Sequence, residues 1–154
     1  MVHKYFNLLS SLGTIIVALS LVLIIVQIVK TPSVSAKNPS TVPPELCTGC
    51  QLDQSVFHDN RLVGKDFSLA VLQGSTFTGN DLSGVNFTSA ILKGVDFNST
   101  NITNVNFTNA DMTSAQNVDT ATRSGVVWSN TICPDGTNSN DDGNSCEGHL
   151  TPLP

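Results

Sequence analysis

The chain has 154 residues, 40% of them hydrophobic and 12% charged, with a formal net charge of −5. That length leaves room for one modest folded domain once a leading apolar segment is set aside, which argues against a second domain. The thin negative charge argues against nucleic acid as a partner, because phosphate binding needs a basic surface.

No charged residue interrupts the stretch from Tyr5 to Val29. As an α-helix it would span roughly 37 Å at about 1.5 Å per residue, enough to cross a bilayer. Residues 1–30 are therefore expected to form an N-terminal hydrophobic α-helix that directs export. Two readings stay open: a retained transmembrane anchor with the membrane as its partner, or a signal removed near Val34-Ser35-Ala36. Residues 31–46 are rich in Pro and Ser and read as an extended linker, since the Thr-Pro, Asn-Pro and Pro-Pro steps oppose helix.

A large apolar residue then stands at every fifth position: Leu52, Phe57, Leu62, Phe67, Leu72, Phe77, Leu82, Phe87, Leu92, Phe97, Ile102, Phe107 and Met112. Five residues of α-helix rotate a side chain by about 140° beyond a full turn, so a helix would scatter this set and bury nothing together. A straight strand would send Leu and Phe to opposite faces of an element far longer than globular sheets use. The chain must instead bend once per repeat, always in the same sense, around one core. The residue two before each centre is the second inward position, and it is mostly small, as at Ala70, Ser75, Ala90 and Ala110. Asn60, Asn80 and Thr100 share one such column and read as a ladder of polar groups that satisfy one another. Lys65 puts a charge at an inward position and should snorkel outward or distort its coil.

The alternation of Leu and Phe has a period of ten, which divides a coil of twenty residues but not one of fifteen. Four sides therefore stack like residues on like. The expectation is an all-β solenoid over residues 47–116, a four-sided β-helix of about three coils. Residues 117–154 are then a C-terminal cap and polar loop, with Trp128 plugging the end beside Val126 and Ile132. Met112 and Trp128 lie sixteen apart, so the register slips by one residue between them.

The runs Asp81-Leu82-Ser83-Gly84-Val85-Asn86-Phe87-Thr88-Ser89-Ala90 and Ala110-Asp111-Met112 resemble the A(D/N)Lxx pattern of the pentapeptide repeat family. The likeness covers about residues 50–116 and implies a right-handed turn for the four-sided helix. It says little of function, since members range from DNA-mimicking topoisomerase protectors to exported proteins. The flanks, Cys47-Thr48-Gly49-Cys50-Gln51-Leu52 and Trp128 through Ser139, are similar to those of exported, cysteine-flanked bacterial members.

Cys47, Cys50, Cys133 and Cys146 flank the repeat, and an even number in an exported chain suggests disulfides. Three coils at about 4.8 Å each would separate the two pairs by roughly 15 Å, which leaves Cys47 with Cys50 and Cys133 with Cys146. The Cys-Thr-Gly-Cys run could also be read as a thiol exchange site, but no strand leading into a redox helix surrounds it. Asn138, Asn140, Asp142 and Gly143 match the opening of a calcium loop, yet His149 stands where a bidentate Glu is wanted, so a solvated turn is expected. Asn86, Asn98, Asn101 and Asn106 begin glycosylation sequons that arise from the repeat itself. His3, His58 and His149 have no catalytic spacing.

These readings point to a non-catalytic exported structural or interaction module with no cofactor, no metal, no small-molecule substrate and an unknown protein partner. Leu69, Val71 and Ile91 fall at outward or corner positions and mark a candidate apolar patch. Two alternatives remain: a DNA-mimicking protein using Asp53, Asp59, Asp66, Asp81, Asp96 and Asp111, and an ice- or glycan-binding surface on Ser68, Thr88 and Thr108.

Overall fold

The computed structural model describes residues 47–58 and 62–154; the expected N-terminal helix, the linker and Asn60 lie outside the described residues. Among the described residues no helix is long and apolar enough to cross a membrane.

The repeat closes into a ladder of parallel bridges between residues twenty apart. One column runs Gln51, Val71, Ile91, Asp111, and others run Val56, Thr76, Asp96, Gln116 and Asp66, Asn86, Asn106. In each case but that of Gln116, which precedes Asn117, the bridging residue immediately precedes a large apolar centre. Its N–H donates to the coil before and its carbonyl accepts from that same coil, as when Val71 N donates to Cys50 O at 2.8 Å and Leu52 N to Val71 O at 2.7 Å. A coil thus consumes twenty residues in four sides of five. The bridges are isolated single-residue contacts rather than extended strands, because each side spends the rest of its five residues turning the corner.

The corner has a fixed recipe. The centre's carbonyl accepts from the N–H three residues on, for example Ala70 N to Phe67 O at 3.1 Å, while the residue two past the centre takes a positive φ. Gly, Ser and Asn hold most of these positions, because a positive φ hinders L side chains, and glycine and short polar residues bear it best. Leu69 is an exception, with φ 60°, and its bulky side chain is exposed there.

All four walls feed one core. Phe77, Phe87, Phe97, Phe107, Leu72, Leu82, Leu92, Ile102 and Met112 are fully buried. Rings stack within their columns, Phe67 on Phe87 at 5.6 Å and Phe87 on Phe107 at 5.5 Å, and meet edge-on across the core, Phe77 against Phe87 at 63°. Both geometries suit the ring quadrupole. Of the inward polar column, the described Asn80 and Thr100 do not bond one another as a self-satisfying ladder would require. Asn80 Nδ2 donates to Phe57 O at 2.8 Å and Thr100 Oγ1 to Phe77 O at 2.9 Å, so each bonds backbone of the preceding coil. A corner carbonyl pointing along the solenoid is the nearer acceptor. Lys65 is half-buried and its coil keeps register, with Asn86 N donating to Lys65 O at 2.9 Å.

The bridge ladder runs on past residue 116. The ladder continues with a separation of 21, through Asn101 with Thr122, Asn106 with Val127 and Asp111 with Ile132. One extra residue is taken up near Asn117, which has φ 59° and donates Nδ2 to Asp96 Oδ1 at 2.7 Å. Beyond it the five-residue spacing resumes on Val118, Arg123, Trp128 and Cys133, completing a fourth coil where about three were expected. The inserted residue breaks strict periodicity, and so the last coil does not look like repeat.

Candidate interaction surface and closed ends

At the first coil, Cys47 and Cys50 form a disulfide with Cα atoms 5.1 Å apart, and Cys50 N donates to Cys47 O at 3.2 Å. Both cysteines are buried. Cys133 and Cys146 form the second disulfide, Cα atoms 5.5 Å apart, fully buried at the other end.

That C-terminal end is a built structure. Trp128 stacks on Phe107 at 5.0 Å and 10°, so the indole extends the Phe67, Phe87, Phe107 column by one layer. The chain then folds back: Ile132 pairs antiparallel with Asn138, Ser139 N donates to Thr131 O at 2.9 Å, and the Ser139 hydroxyl bonds the Trp128 carbonyl. A short 3-10 turn, Ser139–Asp142, follows, capped by Asn138, whose side chain accepts from Asn140 N at 2.9 Å. Asn138 thus serves as a cap, and no group of ligating side chains among the described residues could hold a metal ion. Leu150, like Cys146, is buried in the hydrophobic core and adds an apolar side chain from the closing segment.

Arg123 escaped the sequence reading. It occupies the centre position that continues the Leu82, Ile102 wall, and its guanidinium is partly exposed. Nε donates to Glu147 Oε1 at 3.0 Å, Nη2 to Glu147 Oε2 at 3.1 Å and Nη1 to Asp119 O at 2.8 Å. A forked pair of this kind fixes geometry as well as charge. The one-residue slip was the available signal, since counting fives from Val118 lands on Arg123.

The candidate apolar patch lies on a single wall and its corner. Val71 and Ile91 are bridge partners on successive coils; Leu69, two residues before Val71, is 59% exposed and Ile91 38%. Lys93 on the same wall pairs with Asp111 at 3.1 Å.

The repeat carboxylates are tied locally. The Ser68 N–H and hydroxyl hold Asp66 below the usual carboxylate value, and those of Ser83 do the same for Asp81. Burial opposes the charge of Asp111, but the Thr113 hydroxyl and N–H and the Lys93 ammonium outweigh it. Depressed values give stability that is complete above the ordinary 3.8 and is lost as pH falls below it through the lowered folded value. Acid titration followed by circular dichroism should therefore show the folded state weakening below about pH 4, while Asp66→Asn and Asp81→Asn together flatten that limb. Thr88 and Thr108 are equally committed, each hydroxyl donating to the Asn two residues earlier at 2.6 Å. Asn86 and Asn101 donate their amides to Asp66 and Asp81, both at 3.0 Å.

A solenoid with five-residue sides and twenty-residue coils defines a class of protein by its backbone alone. Residues 50–88 and 81–115 match the model for pentapeptide repeats in eight copies, and this part of the chain is a pentapeptide repeat domain. Among solved structures, the chain is similar to HetL, a pentapeptide repeat protein involved in heterocyst differentiation regulation from Nostoc sp. strain PCC 7120 (19% identity, TM-score 0.35, 59% of this chain and 50% of that one). It is also similar to Rfr23 from Cyanothece 51142 (20% identity, TM-score 0.34, 56% and 60%). A third is a pentapeptide repeat protein from the Arabidopsis thaliana thylakoid lumen (16% identity, TM-score 0.23, 77% and 84%). The chain spans between half and three fifths of the first two. No curated protein sequence matches the chain.

Proposed function

We infer that the chain is a non-catalytic, exported structural or interaction module: a right-handed, four-sided pentapeptide-repeat rod that presents a surface to a protein partner. The observation that carries this reading is the pair of disulfides, one at each end of a fully packed coil. Such bonds persist in oxidising compartments, and the apolar stretch from Tyr5 to Val29 supplies a route of export. The exposed Leu69 and Ile91, with the half-buried Val71 between them, are the favoured contact surface. DNA mimicry is the lesser reading, because a short rod carries few carboxylates and Lys93 neutralises Asp111. An ice- or glycan-binding role on Ser68, Thr88 and Thr108 is also the weaker, since both threonine hydroxyls already donate internally.

Fractionation of expressing cells, with protease shaving and thiol labelling before and after reduction, tests the proposal. The folded part should be reachable from outside the membrane, with all four cysteines reacting only after reduction. Accessibility from the cytosol alone, or free labelling of the native protein, would overturn it.

A further inference from the structure

The C-terminal end carries one imidazole placed between two carboxylates. His149 Nδ1 lies 2.7 Å from Asp135 Oδ2, and its Nε2 lies 3.7 Å from Asp142 Oδ2. A neutral ring has a single N–H and can donate to only one of them; the protonated ring has two and can serve both.

The three residues come from different parts of the end. Asp135 sits in the turn that leaves the coil, its other oxygen fixed by the Thr137 N–H at 2.9 Å and hydroxyl at 2.7 Å. Asp142 ends the 3-10 turn, where its neighbour Asp141 forms no ion pair with the ring. On the ring's own segment, Glu147 is taken by Arg123. Cys133 and Pro134, which precede Asp135 in the chain, bring no charge. His149 itself stands between Cys146 and Leu150, the two buried residues that close the solenoid. A tie from the ring to Asp135 therefore fastens the plug to the coil, and one to Asp142 fastens it to the folded-back turn.

We propose that His149 is a pH-operated clasp on the C-terminal plug: charged, it bridges Asp135 and Asp142 and holds the closing segment down, and on losing its proton it releases one carboxylate and loosens that segment. Loosening uncovers the end of the aromatic column at Trp128 and the edge of the last coil, the surface on which a second rod or another chain could stack.

Native-state hydrogen exchange on the oxidised full chain tests this at about pH 5 and about pH 8. The readouts are the amides of Ser145, bonded to Ser139 O and Asp142 O, and of His149, bonded to Cys146 O. Corrected for intrinsic rates, their protection relative to the Ala110 amide in the coil should fall about two- to fivefold between the two conditions, the size of one partly exposed ion pair. His149→Gln should start at the lower protection and show no such fall, and Asp142→Asn should show a reduced one. Equal protection of these amides at both pH values in the parent chain, or the same fall in His149→Gln, would overturn the clasp.

Discussion

Replacing Phe87 with alanine is expected to lower the free energy of unfolding by about 3–5 kcal/mol, the range for emptying an aromatic site that the surroundings cannot collapse into. Phe87 is fully buried, stacked between Phe67 and Phe107 and edge-on to Phe77, so its removal takes a stacking partner from two rings and an edge contact from a third. The coil backbone is pinned above and below by ladder bonds and cannot close the void. Phe87→Leu keeps most of the volume and should cost less than about 1.5 kcal/mol. The chain has one tryptophan, Trp128, stacked on the same column, so its fluorescence during denaturation reports the transition directly. An alanine variant within about 1 kcal/mol of the parent would show that the ring column is not tightly packed.

Removing the Cys133 to Cys146 bond, by the double change to serine, should cost about 2–5 kcal/mol. The loop it closes has a sequence separation of 13, for which the chain-entropy model gives about 3 kcal/mol. Because Cys146 and Leu150 together cover the end, the loss should be felt first there, as Trp128 emission shifting to the red and proteolysis within residues 134–154. The ladder between Gln51 and Asp111 depends on none of these contacts and should survive at moderate temperature. Cleavage that begins inside the ladder instead would place the weak point of the molecule elsewhere.

The four walls were legible because they follow from periodicity alone: a five-residue spacing with alternating Leu and Phe admits few backbones that bury every centre. The fourth coil was not legible, since one residue at 117 offsets the register and two of its centres, Arg123 and Cys133, are not residues that announce a core. The closed end was hidden for a different reason. Arg123 with Glu147 and Asp135 with His149 are pairings 24 and 14 residues apart, set by how the chain folds back rather than by any local pattern. Asn80 and Thr100 were read as partners because they share a column, but hydrogen-bond direction decided against it. The placement of Leu69 at a positive φ is a fact of the corner that the sequence carries only as an apolar residue in a slot usually given to Gly, Ser or Asn.

The constant ladder separation also bears on how such a rod could be built to any height. Among the described residues, every bridge between coils joins residues 20 or 21 apart, from Gln51 with Val71 to Asp111 with Ile132. The loop entropy paid at each closure depends on that separation and not on the length of the chain. A rod with twice as many coils would therefore meet the same kinetic hurdle at each added layer, and its assembly could advance from any coil already formed.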